Sequence, residues 1–372
     1  MPMRLLITGI EGFIGRNLRV RLQEQGFSSI TGLTEASTQE ALVEAVSEAD
    51  FVFHLAGVNR PKDPSEFTKG NVSFTDTLCR ALSASPHPAP VLFTSSIQAL
   101  LDNPYGASKR EAEEILLRYA RETGASVHIF RLPNVFGKWC RPNYNSAVAT
   151  FCHNTARGLP ITLHDPSASL RLVYIDDVVS AFLGILQSPS TAGDFHDVDP
   201  VYETTVGEAS DIIRSFPESR TTLQTARVGT GLCRALHATY LSHLPPEAFA
   251  YTVPRYTDPR GEFVELLKTP DCGQFSYFTA APGITRGEHY HHTKTEKFLV
   301  IRGTARYQFR HIDTQERHEL VCRGGEACVV ETVPGWTHNI TNIGEDELIV
   351  MLWANEVFDR SRPDTTALRV EP

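Results

Sequence analysis

Residues Thr8-Gly9-Ile10-Glu11-Gly12-Phe13-Ile14-Gly15 place three glycines at intervals of three. They follow a short apolar run, Arg4–Ile7, and open an amphipathic stretch, Ile14–Gln25. Such a turn lets backbone approach a pyrophosphate, whose charge then meets the N–H groups of the following helix. The chain therefore starts as strand, turn, helix, and the pattern repeats. Phe51–Leu55, Val91–Thr94 and Val127–Leu132 read as buried parallel strands. Gln39–Glu48, Val72–Ser83 and Tyr105–Arg121 read as the helices between them. This alternation predicts an α/β domain with a doubly wound parallel sheet and ligands beyond the carboxyl ends of its strands. The second strand, near Ser29–Leu33, ends without an acid for a ribose 2′-OH, and Glu35 comes late. Arg16 follows the third glycine, so the pattern favours NADPH over NADH.

At 372 residues the chain is long enough for two domains. The pattern changes at Leu244-Pro245-Pro246-Glu247, and 1–245 and 246–372 are the expected units. Beyond the prolines, β-branched and aromatic runs predict strands at Gln274–Thr279, Lys297–Ile301, Thr304–Ile312, Ala327–Thr332 and Leu348–Trp353. Short turns between them suggest an all-β sandwich or barrel. The polar tail after Phe358 is expected to pack loosely or to meet a partner. A formal charge of -9 leaves no basic excess for nucleic acid or an anionic membrane surface. Seven scattered cysteines without a CxxC pair read as reduced thiols. No apolar run is long enough for a membrane span or a signal-peptide core, so the expected location is the cytoplasm.

Tyr105 and Lys109 lie four residues apart on a predicted helix and share a face. A neighbouring ammonium favours a phenolate and makes tyrosine a usable acid at neutral pH. A hydroxyl from Thr94-Ser95-Ser96 can polarise a carbonyl beside it. With the glycine turn, this order resembles the extended short-chain dehydrogenase/reductase family over about residues 3–240. The resemblance implies a Rossmann-like fold and a catalytic set of Ser96, Tyr105 and Lys109, with Ser95 an open alternative to Ser96. It implies a cofactor site of Gly9, Gly12, Phe13, Ile14, Gly15, Arg16, Leu55, Ala56, Gly57, Asn71, Tyr105, Lys109 and Leu132. It also implies a nucleotide-sugar substrate, with Asn134, Arg171 and the Lys138–Tyr144 stretch as candidate contacts. Tyr105 follows Ser96 by only nine positions, which predicts an open pocket near the nicotinamide. The Asp176-Asp177 pair reads as a helix cap.

Farther on, His289, His291 and Glu296 precede Gly303 in the order G-x5-H-x-H-x4-E-x6-G, and His338 follows on a later predicted strand. Alternation puts His289 and His291 on one face of a strand and His292 on the other. Three imidazoles and a carboxylate can enclose a divalent ion; zinc suits this donor set best, and manganese and iron fit less well. The constellation is similar to the cupin family, a jelly-roll barrel, over about residues 255–360. That resemblance implies His289, His291, Glu296 and His338 as ligands, although Pro334-Gly335 lacks a residue usual in the second motif. The two domains together resemble bifunctional capsular-polysaccharide enzymes of the CapF/WbjC type. This implies a UDP-linked 4-keto-6-deoxy-N-acetylhexosamine substrate. C3 epimerisation by the cupin and NADPH-dependent reduction at C4 would give UDP-2-acetamido-2,6-dideoxy-L-talose, a precursor of UDP-N-acetyl-L-fucosamine. Homodimerisation is implied by both families. The epimerase base stays open among His311, His318, Tyr290 and a metal-bound water, and the ion could be structural. A reductase carrying a non-catalytic cupin, and a metal-dependent oxygenase fused to a reductase, are the alternatives.

Overall fold

The computed structural model describes residues 2–187, 195–249, 251–291, 294–312, 314–333, 335–361 and 363–371. It holds two compact units. The first runs to Ile213 and takes in Ala235–Leu244; the second comprises Arg214–Arg234 and everything from Pro245 on. A boundary at 245 was expected, but residues 214–234 group with the second unit. Their backbone is engaged there: Thr225 N–H donates to the Lys268 carbonyl at 2.8 Å, and Lys268 N–H to that of Leu223 at 2.7 Å. Such backbone pairing leaves no trace in side-chain periodicity.

The strands of the first unit are β1 (Leu5–Thr8), β2 (Ile30–Leu33), β3 (Phe51–His54), β4 (Val91–Ser96), β5 (Val127–Leu132), β6 (Asn134–Phe136), β7 (Ser169–Tyr174), β8 (Phe195–His196) and β9 (Val201–Thr205). Six form a parallel sheet in the order β2-β1-β3-β4-β5-β8, and β6-β7-β9 form a smaller one. Every residue of β1, β3 and β4 is buried, as a sheet covered on both faces requires. On one face Leu6, Val52 and Phe93 pack with Val46, Leu78, Leu82 and Leu116 of three helices. The expected helix Val72–Ser83 is Phe74–Ala84, preceded by a π-helical turn, Thr68–Ser73.

The second unit carries β10 (Arg255–Asp258), β11 (Gly261–Lys268), β12 (Gln274–Ala280), β13 (Thr285–Tyr290), β14 (Glu296–Arg302), β15 (Thr304–His311), β16 (Arg317–Arg323), β17 (Val329–Glu331), β18 (Trp336–Asn342), β19 (Leu348–Ala354) and β20 (Thr366–Ala367). They form two antiparallel sheets, β10-β11-β12-β19-β14-β17 and β16-β15-β18-β13-β20. Phe278, Phe298, Tyr307, Phe309, Ile340 and Val350 fill the cupin-like core. The tail departs from expectation. It is docked, with β20 paired to β13 and Val370 only 2% exposed. Main-chain hydrogen bonds hold it, so its polar composition gave no sign of order.

Candidate functional site

The glycine turn joins β1 to the helix Phe13–Glu24. Gly9 is left-handed, and a Cβ there would lie 2.9 Å from the Ala56 backbone; one on Gly15 would lie 2.3 Å from the Gly9 carbonyl oxygen. Only glycine lets the turn close against the end of β3. The helix has no side-chain cap and no acid in its first turn. Its free N–H groups and positive end therefore fit a dinucleotide pyrophosphate. Leu55 and Ala56 are tied to this turn: their N–H groups donate to the Thr8 carbonyl and hydroxyl, both at 3.2 Å. Arg16 is exposed and reaches the Trp139 carbonyl at 3.5 Å. Neighbouring Asn17 donates to the Lys138 carbonyl at 3.2 Å, so this helix also anchors the loop after Gly137.

Farther along the same sheet edge, Gly57, Asn71 and Lys109 converge: a Cβ on Gly57 would lie 3.1 Å from both Asn71 Oδ1 and Lys109 Nζ. Asn71 is buried, accepts from Val58 N–H at 2.7 Å and donates to Ser108 Oγ at 2.9 Å. It thereby clips the loop after β3 to the helix Pro104–Thr123. That helix starts cleanly: Asn103 Oδ1 accepts Gly106 N–H at 2.8 Å, and Pro104 takes the first position. Lys109 is buried and donates to the Thr94 carbonyl at 2.9 Å. Burial pushes its ammonium down to about 8, against a smaller upward pull from Glu113.

Tyr105 sits at the start of the helix with its ring 5.6 Å from that of Phe67. Burial raises its pKa, and the Ser96 hydroxyl opposes that rise. Lys109 was expected to lower it. It is not among the groups that do so, and its ammonium donates to the Thr94 carbonyl. The two serines part by strand alternation. Ser95 Oγ donates to Glu113, whereas Ser96 belongs to the side of Tyr105 and accepts from Gln98 N–H at 3.2 Å. Glu113 escaped the sequence reading. It is 2% exposed and takes a two-pronged ion pair from Arg131, with contacts of 3.0 and 2.6 Å. Its position four residues after Lys109 on the inner face was the available signal.

Arg131 and Leu132, with Ile97, Leu100, Pro133 and Arg171, line a cleft of about 520 Å³. Arg171 is exposed and 3.6 Å from Glu203, and its carbonyl accepts from Asn134 Nδ2 at 3.2 Å. Asn134 is not among the lining residues of this cleft. Asp176 stands in the first turn of its helix and pairs with Lys138.

In the second unit His289, His291, Glu296 and His338 come together, their candidate ligand atoms all within 4.8 Å of one another. Register explains it. His289 on β13 faces His338 on β18 across a bulge at Glu288, and Glu296 opens β14. His291 Nδ1 lies 2.6 Å from the Asp364 carbonyl, which only accepts, so the proton sits on Nδ1 and the Nε2 lone pair faces inward. That lone pair is 3.2 Å from Glu296 Oε2, and His338 Nε2 is 3.7 Å from the same oxygen. Acceptors set this close call for a cation between them, and the donor set fits a divalent ion. Burial works to raise Glu296, but Lys294, and His291 and His338 whenever their Nε2 carries a proton, hold it far below the usual carboxylate range. Burial, and any positive charge on His338 and His291, pushes His289 down to about 4, which keeps it neutral and able to ligate. Lys294, missed in the sequence, is buried and 2.9 Å from Glu296 Oε1. Asn342 is a turn lock, donating to the Ala280 and Asp346 carbonyls at 2.9 and 2.8 Å. His292 and Pro334 lie outside the described residues.

Known proteins agree with this layout. Residues 5–199 match the NAD dependent epimerase/dehydratase family, and 256–366 match the polysaccharide biosynthesis C-terminal domain. The UDP-2-acetamido-2,6-beta-L-arabino-hexul-4-ose reductase of Pseudomonas aeruginosa is 55% identical over 368 residues, 99% of both chains. The crystal structure of the capsular polysaccharide assembling protein CapF from Staphylococcus aureus superposes with a TM-score of 0.92 at 41% identity, covering 99% of this chain and 100% of that one. A UDP-glucose 4-epimerase from Thermotoga maritima shares the fold of the first unit, with a TM-score of 0.56 at 20% identity over 64% of this chain and 98% of its own. Among the described residues no helix is long and apolar enough to cross a membrane. A reductase-type first unit and a cupin-like second unit, matched end to end by these relatives, place the chain in the CapF-type family of capsular-polysaccharide enzymes.

Proposed function

We propose that the protein reduces the C4 ketone of a UDP-linked 2-acetamido-2,6-dideoxy-hexos-4-ulose with NADPH, after inversion at C3 in the second unit. The product is UDP-2-acetamido-2,6-dideoxy-L-talose, which serves capsular or O-antigen polysaccharide synthesis. The observation that carries the reading is the Ser96 hydroxyl beside the Tyr105 phenol, on a sheet edge where Lys109 lies buried against Gly57 and the glycine turn leaves its helix uncapped. Full-length likeness to a reductase of a UDP-linked ketosugar supports it. NADPH, when bound, supplies the hydride for C4. Tyr105 gives the proton to the ketone oxygen, Ser96 holds that oxygen by a hydrogen bond, and Lys109 holds the ribose and returns the phenol to its protonated state. The absence of an acid at the end of β2 favours NADPH.

The cage of His289, His291, Glu296 and His338 would hold zinc, whose positive charge stabilises negative charge developing on a sugar oxygen. The C4 ketone acidifies the C3 proton, so a base can remove it and reprotonation from the other face inverts the centre. His311, His318 and Tyr290 remain the candidates; His311 already accepts Thr314 N–H at 3.0 Å, and Tyr290 pairs with Thr366 in the sheet. A second reading has specific support. His291, Glu296 and His338 are buried, as in a closed structural site, which favours a second unit that binds or dimerises without catalysis. The proposed enzyme is a soluble cytoplasmic homodimer.

Proton NMR of the 4-keto UDP-sugar with NADPH in D2O tests the whole reading. Deuterium entering C3 before NADPH is added supports the epimerase; intact reduction without exchange supports the second reading. NADPH oxidation that proceeds equally well with simple ketones would sink the nucleotide-sugar assignment.

A further inference from the structure

We infer that the chain's last segment, residues 364–370, is a strap that positions the metal cage, so that metal binding and docking of this segment are linked. The inference rests on the reading of the four-residue cage as a metal site.

The strap is held by groups that sit on or beside three of the four proposed ligands. Asp364 accepts the His291 Nδ1–H on its carbonyl at 2.6 Å, and its carboxylate accepts Lys294 N–H at 2.8 Å. Glu288, next to His289 and left-handed at φ 63, accepts Leu368 N–H on its carbonyl at 2.9 Å. Its carboxylate accepts Val370 N–H at 2.7 Å and Asn339 Nδ2–H at 2.9 Å, so it serves the strap. Thr337, next to His338, donates its hydroxyl to the Leu368 carbonyl. Behind these, the buried Arg310 donates to the carbonyls of Arg369 at 2.6 Å and Val370 at 2.8 Å. Alignment of β20 with β13 sets Ala367 opposite His289 and Thr366 opposite Tyr290.

A carbonyl acceptor on Nδ1 selects the tautomer whose Nε2 lone pair enters the cage, and it fixes the ring's orientation. Losing the strap frees His291 to rotate and to take the other tautomer. By linkage, whatever factor the docked strap adds to metal affinity, the metal adds to docking of the strap.

The test uses zinc ion alone, with competition against a chelating dye. A chain ending at Ser361 is expected to bind zinc 10- to 100-fold more weakly than the full chain. Asp364→Ala, which removes one side-chain clamp, shifts affinity in the same direction by a smaller factor. In the full chain, zinc is expected to slow amide hydrogen exchange at Leu368 and Val370. A folded truncated chain that binds zinc as tightly as the full one overturns the inference. So does exchange at those two amides that ignores zinc, and this measurement decides if the truncated chain fails to fold. A full chain that takes up no zinc refutes the cage reading itself, and the inference with it.

Discussion

Lys109 combines burial with a charge, and that conflict lowers the pKa of its ammonium. Its ammonium titrates near 8 when folded against 10.5 when exposed. Between those values the unfolded chain holds a proton that the folded chain lacks. Stability therefore rises with pH across that window, and below about 8 the buried charge costs its full penalty. The proposed reductase step uses the ammonium, so on that reading the NADPH-dependent rate is expected to fall as pH passes about 8. A pH–rate profile checks this, and Lys109→Met should lose both the rate and that limb. Tyr105→Phe is expected to lower turnover by a factor of about 10² to 10⁴ while fluorescence titration still detects NADPH binding; retained turnover would remove the phenol from the mechanism. Glu113→Ala leaves Arg131 and Ser95 without their shared partner and should cost about 3 kcal/mol in a denaturant titration. The motif residues were legible in the sequence as candidates, because hydride and proton transfer need particular side chains at helical spacing. That Ser95, and not Ser96, meets Glu113 was not. It depends on which face of β4 turns toward that helix, and contacts across the sheet decide it.

At the level of elements, short connections do the positioning. The tight 3-10 turn Ile97–Leu100 passes against the helix of Tyr105 so closely that a Cβ on Gly106 would lie 2.0 Å from the Gln98 carbonyl oxygen. Backbone cannot yield as a side-chain tip can. Gly106→Ala is therefore expected to lower both the melting temperature and reductase turnover, and a variant with normal values of both would contradict the packing described. β1, β3 and the helix Phe74–Ala84 meet at His54, whose ring contacts Thr8 Oγ1 at 2.8 Å and Thr75 Oγ1 at 2.9 Å. Burial, aided by Lys109, pushes it down to about 3. Below pH 6.5 the unfolded chain takes up a proton that folded His54 refuses, so this residue removes stability as pH falls from about 6.5 toward 3. Urea midpoints across that range should show a shallower acid slope in His54→Leu than in the parent. The order of β1, β3, β4 and β5 and of the helices between them followed from periodicity. The π-helical turn that aims Asn71, and the bulge at Glu288 that brings His289 opposite His338, did not, since each is one residue's adjustment to a neighbouring chain.

On the scale of the whole molecule, each unit carries its own core and its own cluster of candidate site residues. Zinc at 100 times its dissociation constant should add about 2.7 kcal/mol to the second unit. Calorimetry with and without a chelator measures this, and a melting profile indifferent to both would argue against a cage that binds only when folded. The amino-acid order by itself determined the glycine turn, the Tyr105–Lys109 pair, the four cage residues and the change from α/β to all-β. The turn and the pair are local and depend on spacing along one strand or helix; the cage residues were marked by the chemistry of their side chains, and sheet register brought His338 to His289. Tertiary structure alone decided that 214–234 would join the second unit, that Lys109 would turn to Thr94, that Glu113 would lie buried beneath Ser95, and that a polar tail would lock His291. These are contacts between segments distant in sequence, made largely by backbone groups that every residue carries, so no residue pattern announces them.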